Sequence, residues 1–317
     1  MAKLDKAISK IFFECLKITR GDSCLILIDQ FTRKLGHLLF ERAKRSKADV
    51  ALLEITPLSV RSPEPPPSVV NMMKQMSAIL AFTSYSLFHS NALKHVCHNG
   101  SRVLCLFPLS EECLARSVNT NYEYVDKKSR RLADLFSIGR RIHLTTNGGT
   151  DIVIPIARHK GMANTGIVSQ PGILCVLPSG EASVTPDRHG TRGVVIVDGS
   201  IPSIGILKNP IVTKIKEGYA YQITGGEEVI VLRKMLKSFG KQSRNIAEFG
   251  IGTNPNAVLG GTSIEDEKVL GTAHIALGNP EFEGGIQRGK IHLDLILRKP
   301  TVEIDGRLIV KDGNLLV

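Results

Sequence analysis

Two residues near the C-terminal end of the chain, His292 and Asp294, are spaced to share one cation. They sit in Ile291-His292-Leu293-Asp294-Leu295-Ile296-Leu297, an apolar run that predicts a strand. Residues two apart on a strand point to the same face, and Ile291, Leu293 and Leu295 then fill the other. An imidazole and a carboxylate so placed can ligate one ion, because imidazole suits zinc, iron, cobalt and nickel and the carboxylate supplies charge. Taken alone, an H-x-D pair also describes a surface ion pair or a structural hydrogen bond. Three further residues stand in comparable surroundings. Glu181 follows Pro178-Ser179-Gly180, Glu248 lies between an apolar run and Gly250-Ile251-Gly252, and His274 precedes Ile275-Ala276-Leu277-Gly278. A polar group buried unpaired costs about 1–3 kcal/mol, so such positions need partners or ligands. Five of them in one half of the chain favour a metal site.

The elements that must position these residues divide at about residue 145. Residues 1–145 alternate amphipathic helices with apolar strands: a helical spacing from Leu4 to Cys15, then strands at Cys24–Ile28, Val50–Leu53, Ile79–Phe82 and Val103–Phe107. Strands apolar on both faces and joined by helices predict an α/β domain with a mostly parallel sheet. Arg61-Ser62-Pro63-Glu64-Pro65-Pro66-Pro67 predicts an exposed extended connector. Residues 146–317 predict a β-rich α+β domain that carries the metal site. Its short strands lie at Asp151–Pro155, Ile173–Leu177, Gly193–Val197, Ile211–Lys214, Ala220–Thr224, Asn245–Phe249, Ala273–Leu277 and Ile291–Leu297, with one helix near Glu227–Phe239. Asn147-Gly148-Gly149 and Asp305-Gly306 are hairpin-type turn signals.

Composition excludes several classes. A chain of 317 residues with 42% hydrophobic and 22% charged residues is neither a stapled mini-protein nor disordered in bulk. The net charge of +11 is concentrated in residues 1–150, which hold 22 Lys and Arg against 13 Asp and Glu. It falls in stretches such as Arg42 to Lys47 and Lys127 to Arg131, without the interleaved aromatics that base stacking uses, so a solvated helix face is expected and no nucleic-acid partner. No apolar window is long enough for a membrane span, and lysines run through the first 20 residues where a signal core would be apolar. A soluble, unexported, cytoplasmic protein without a membrane partner is expected. Its six cysteines lack paired spacing and read as reduced, mostly buried thiols. The glycines around Gly250, Gly252, Gly260 and Gly261 form no phosphate-binding fingerprint. His95-Val96-Cys97-His98 has no downstream partner pair and reads as structural.

In the same order along the chain, Pro178-Ser179-Gly180-Glu181, Ala247-Glu248-Phe249-Gly250-Ile251-Gly252, Ala273-His274-Ile275-Ala276-Leu277-Gly278 and Ile291-His292-Leu293-Asp294 resemble the motifs of the aminopeptidase T/aminopeptidase S family of two-metal leucyl aminopeptidases. The first half, with its strand after Thr19-Arg20-Gly21-Asp22 and its helix start between Ser84 and Asn91, also looks like that family's. The resemblance implies a pair of divalent ions (zinc, cobalt or manganese) on Glu181, Glu248, His274, His292 and Asp294, a short-peptide or other small-molecule substrate, and a homodimer. Seven residues after His274, where the family carries a tyrosine that acts at the metal centre, this chain has Glu281. A shorter relative, the 2,5-dihydroxypyridine 5,6-dioxygenase group, is similar in length and uses one iron held by two histidines and an aspartate. Those ligands match His274, His292 and Asp294, and Glu181 then becomes a substrate-binding group.

Two reactions are therefore implied. In the preferred one, paired ions lower the pKa of a bound water toward about 7 and the chain is a metallo-aminopeptidase; Glu181 and Glu281 are the carboxylates proposed for catalysis. In the alternative, one ferrous ion leaves positions open for a ring substrate and dioxygen. His189, in the polar turn Pro186 to Gly190, is a further acid or base by type. A binding protein that keeps the fold and an ion without turnover is the third expectation.

Overall fold

The computed structural model describes residues 2–58, 64–187, 189–280 and 291–317. The chain divides into two compact units, Met1–Glu123 with Thr165–Ser179, and Tyr124–Asn164 with Gly180–Val317. Both architectures expected from sequence are present: a parallel α/β layer and a β-rich antiparallel part.

The first unit is built on a five-stranded sheet in the spatial order Asp49–Ile55, Ser23–Asp29, Ala78–Phe82, Arg102–Leu106 and Leu174–Leu177, every neighbouring pair parallel. The central stretches of its strands are apolar because each face has its own core. Cys24, Ile26, Ile28, Leu80 and Leu104 pack with Ile8, Ile11, Phe12 and Leu39. Leu25, Leu27, Ile79, Val103 and Val176 pack with Val69, Met73, Leu93 and Val96. Period-two alternation between two buried faces is what turns a strand into an unbroken hydrophobic run. Helices Arg33–Ala43, Pro67–Met73, Asn91–His98 and Glu111–Ser117 connect or follow the strands. The start expected before Asn91 is a cap, with the Ser90 hydroxyl accepting the Leu93 N–H at 3.2 Å.

Two expectations are corrected here. The strand at Leu174–Leu177, assigned from sequence to the second domain, pairs with Arg102–Leu106 as the outer strand of the parallel sheet. The division therefore falls at 123/124, with a return over 165–179, in place of one cut at 145. The proline-rich connector is also shorter than expected, because Pro67 is the first residue of a helix, where its missing N–H costs nothing. Arg61, Ser62 and Pro63 lie outside the described residues.

Among the described residues the second unit holds two large antiparallel sheets and a two-stranded ribbon of Ser200–Ile201 with Gly205–Ile206. Eight strands run in the order Tyr219–Thr224, Ile211–Lys216, Arg192–Val197, Asp151–Pro155, Arg141–Thr145, Thr301–Ile304, Arg307–Lys311 and Asn314–Leu315. Five others run in the order His292–Leu297, Ala273–Gly278, Ile246–Gly252, Glu181–Val184 and Met162–Asn164. One core lies between the two large sheets, including Ile152, Ile154, Val195, Phe249, Ile275, Leu293 and Leu295, and Phe136 of the helix Tyr122–Ile138 meets Phe249 edge-on at 5.8 Å. Both hairpin turns form where the turn residues place them. All six cysteines are buried and none is in a disulfide. Among the described residues no helix is long and apolar enough to cross a membrane.

Candidate metal centre

The five-stranded sheet of the second unit has one face in the core, and the pairing register decides what occupies the other. Gly252 pairs with Glu181, Gly250 with both Ser183 and His274, Glu248 with Ala276, Ala276 with Asp294, and Gly278 with His292. Partners across an antiparallel ladder share a face, and so do residues two apart on one strand. The register therefore brings Glu181, Glu248, His274, His292 and Asp294 onto one face. Their opposite-face neighbours Ala182, Phe249, Ile251, Ile275, Leu293 and Leu295 are all in the core. A bulge between Ile246 and Glu248 makes this possible, since it lets Ile246 pair with Leu277 while Glu248 pairs with Ala276.

Small residues make room for the large ones. A Cβ on Gly250 would lie 2.1 Å from His274 Nε2, so the imidazole lies flat across the bare backbone of the next strand. A Cβ on Gly252 would lie 2.1 Å from the Val269 carbonyl oxygen, because the segment after residue 264 crosses the strand there. That crossing is pinned by backbone bonds from Asn254 N–H to Lys268 O at 2.9 Å and from Gly271 N–H to Gly252 O at 3.0 Å.

The cluster is closely spaced. His274 Nε2 stands 3.6 Å from Glu248 Oε1 and 3.7 Å from Glu181 Oε2. His292 Nε2 stands 3.6 Å from Glu248 Oε2 and 3.3 Å from Asp294 Oδ1. Glu248 thus offers one oxygen to each imidazole. The His292 ring is oriented by Nδ1, which donates to the Asn279 carbonyl oxygen at 2.8 Å and so turns Nε2 toward Glu248 and Asp294. His274 is 1% exposed, and among the described residues neither of its ring nitrogens has a hydrogen-bond partner. An orphaned buried nitrogen costs about 1–3 kcal/mol. Separations of 3.3–3.7 Å are long for hydrogen bonds. They lie at or just beyond the spacing of ligands around one small cation, since two atoms each about 2.1 Å from a shared ion stand roughly 3.0–3.6 Å apart. The residues present therefore fit a divalent ion, and Glu181, Glu248 and His274 each place a ligand atom within 4.8 Å of the other two.

Electrostatics agree with that fit. Burial favours the neutral forms, yet His274 is held above its ordinary pKa by Glu248, Asp294 and Glu181 around it. Burial opposes ionisation of Asp294 as well, but His292 and His274 hold its carboxyl far below the usual carboxylate range.

Two participants escaped the sequence. Lys268 is 1% exposed, and its Nζ lies 2.5 Å from both Glu181 Oε1 and Glu267 Oε1. Burial works against its charge, but the two carboxylates hold its pKa well above normal. Glu267, also buried, has its carboxyl pushed well up by desolvation and by Asp294 and Glu181, against the pull of Lys268. Glu265-Asp266-Glu267-Lys268 reads as a solvated charge run in sequence, although all four are buried. The one available signal was the apolar flank Val269-Leu270 and the glycines on either side. Asp266 uses its carboxylate to hold the loop at Gly260 and Gly261, accepting from their N–H groups at 2.8 and 3.2 Å. Those glycines thus have a structural role.

The remaining sequence candidates stand apart from this cluster. His189 is exposed, and the described contacts of the cluster do not include it. Glu281 lies outside the described residues. In the His95 to His98 stretch, which ends a helix, His95 Nε2 pairs with Asn99 Nδ2 at 3.0 Å.

Comparison with known proteins follows the same lines. Residues 7–317 match the model of a family described as 2,5-dihydroxypyridine 5,6-dioxygenase. No curated protein matches the sequence. Among solved structures, a 2,5-dihydroxypyridine dioxygenase from Pseudomonas putida KT2440 superposes with a TM-score of 0.87 at 20% identity, over 100% of this chain and 97% of that one. The wild-type AmpT of Thermus thermophilus superposes with a TM-score of 0.70 at 18% identity, over 100% of this chain and 99% of that one. At these identities the two structures establish a shared fold.

Proposed function

Because this chain belongs to the 2,5-dihydroxypyridine 5,6-dioxygenase family, we propose that it opens a hydroxylated N-heteroaromatic ring with dioxygen, using one ferrous ion held by His274, His292 and Asp294. The observation that carries this is the convergence of two imidazoles and one carboxylate on neighbouring strands of one sheet face, with neither His274 nitrogen hydrogen-bonded among the described residues. A ferrous ion held by such a set supplies open coordination positions for the ring substrate and for dioxygen. Both oxygen atoms enter the product as a ring bond breaks, so no outside reductant is required.

The chain's own contribution is positioning. The Asn279 carbonyl fixes the His292 tautomer, so that Nε2 faces the cluster as an acceptor. Gly250 lets the His274 ring lie close against the sheet, and the core behind Leu293 and Leu295 keeps the His292 and Asp294 strand rigid. Asp294 stays ionised beside two imidazoles. Glu181, a mostly buried carboxylate, is the candidate substrate contact, through the oxygen that faces His274.

A second reading has one specific support. Glu248 directs a different oxygen toward each imidazole, which is how a bridging carboxylate of a two-ion hydrolytic site is placed. The two readings separate in one set of assays. Protein loaded anaerobically with iron is mixed with 2,5-dihydroxypyridine and oxygen uptake is recorded; protein loaded with cobalt or zinc is mixed with aminoacyl anilides. The proposal expects oxygen-dependent ring loss that is abolished in His292→Ala and survives Glu248→Ala. Anilide turnover that vanishes in Glu248→Ala, with no oxygen uptake, would overturn it.

A further inference from the structure

Glu181 is a carboxylate of the cluster, but one of its oxygens is already committed. Its Oε1 lies 2.5 Å from Lys268 Nζ, and only Oε2 faces His274, at 3.7 Å. The ammonium is equally close, at 2.5 Å, to Glu267 Oε1. Lys268 is 1% exposed, and its backbone is tied down through Asn254 N–H to Lys268 O and Lys268 N–H to Glu265 O, both 2.9 Å. The close crossing over Gly252 fixes the segment against the same strand that carries Glu248 and Gly250. A cation has thus been built into the wall beside the Glu181, Glu248 and His274 group. A metal ion recruited by Glu181 would stand next to that ammonium, and like charges in a buried, weakly screened setting repel one another.

We propose that the Lys268 ammonium is a resident cation that takes the place of a second metal ion, restricting the sheet face to one divalent ion and turning Glu181 from a ligand into a fixed hydrogen-bond acceptor. Lys268 is in this sense a positioning residue: it acts through Glu181 and Glu267. The inference rests on the reading of the His274, His292 and Asp294 set as a divalent-cation site, and it explains why five potential ligands serve one ion.

The test is metal stoichiometry on the full-length protein, which is independent of turnover. Apo protein is titrated with cobalt(II), the visible absorption is followed to its break-point, and bound metal per chain is measured after desalting. Wild type is expected to hold one equivalent. Lys268→Ala, with folding confirmed by circular dichroism, is expected to hold two, with a second absorption component. Two equivalents in wild type, or one in folded Lys268→Ala, would overturn the inference. Should Lys268→Ala fail to fold, Glu181→Gln decides instead. With Glu181 no longer counted as a ligand, one equivalent should remain with an affinity loss below about 100-fold, the upper end for an outer partner of a ligand. A larger loss or an empty site overturns it. Wild type that binds no ion refutes the proposed function itself, whereas a stoichiometry result against Lys268 with oxygen uptake intact refutes only this inference.

Discussion

Gly250→Ala is the substitution whose outcome the geometry constrains most tightly. The added methyl would sit 2.1 Å from His274 Nε2 and 2.3 Å from Cε1, so the ring must retreat by about 1.3 Å to reach an ordinary 3.4 Å contact. The ring is 1% exposed. Overpacking of this kind costs about 1–3 kcal/mol. The backbone effect has the opposite sign: Gly250 lies in a strand with no positive φ, where Ala is worth about 0.5–1 kcal/mol over Gly. The net expectation is a loss of about 1–2 kcal/mol, or about 2–8 °C in melting temperature. A ligand nitrogen displaced by more than 1 Å should also weaken ion binding by about 100-fold or more. Calorimetric unfolding and chelator competition measure the two effects. A double-mutant cycle isolates their cause: in a His274→Ala background the clash is gone, and Gly250→Ala should be neutral or stabilising by about 0.5–1 kcal/mol. Unchanged ion affinity in the single variant, or a stability cost that persists without the His274 ring, would refute the reasoning.

Other expectations follow from the same physics. Lys268→Met leaves the carboxylates of Glu181 and Glu267 without their buried cation, and the apo protein should lose about 3–5 kcal/mol in denaturant titration. In the first unit, burial raises the Asp22 pKa, but the Thr19 N–H, Arg102 and Ser77 outweigh it and hold the carboxyl below its ordinary value. A depressed folded pKa contributes stability above the unfolded carboxylate pKa and loses it as pH falls through the folded value. Asp22→Asn should therefore cost about 1.5–3 kcal/mol near neutrality and progressively less below about pH 4, as read from urea midpoints across pH. Burial raises the thiol pKa values of Cys15, Cys24 and Cys105, that of Cys24 to about 12. A thiol-reactive dye should leave all six cysteines unlabelled in native protein and react with all six in denaturant; fast labelling of any cysteine in the folded state would contradict the burial.

Much of the site was legible because a strand alternates with a period of two. His292 and Asp294 share a face by that rule alone, and the same rule sent Leu293 and Leu295 into the core. The parallel sheet was equally legible, since strands such as Cys24 to Ile28 carry no polar residue and must be covered on both sides. The strand at Leu174–Leu177 has the same character, but its position in the chain said nothing about its partner. Only long-range pairing with Arg102–Leu106 assigned it to the parallel sheet.

What the sequence determined by itself was the supply of donor atoms and the face on which each would lie within its own strand. Tertiary structure decided which strands became neighbours, through a register that sets Gly250 opposite His274 and Ala276 opposite both Glu248 and Asp294. It also decided that Glu267 and Lys268 are buried beside the cluster. A run of four charged residues is solvated by default. It became part of the site because backbone bonds to Asn254 and the bare Gly252 draw that segment across the sheet, where the ammonium and its two carboxylates must pair with one another in place of water.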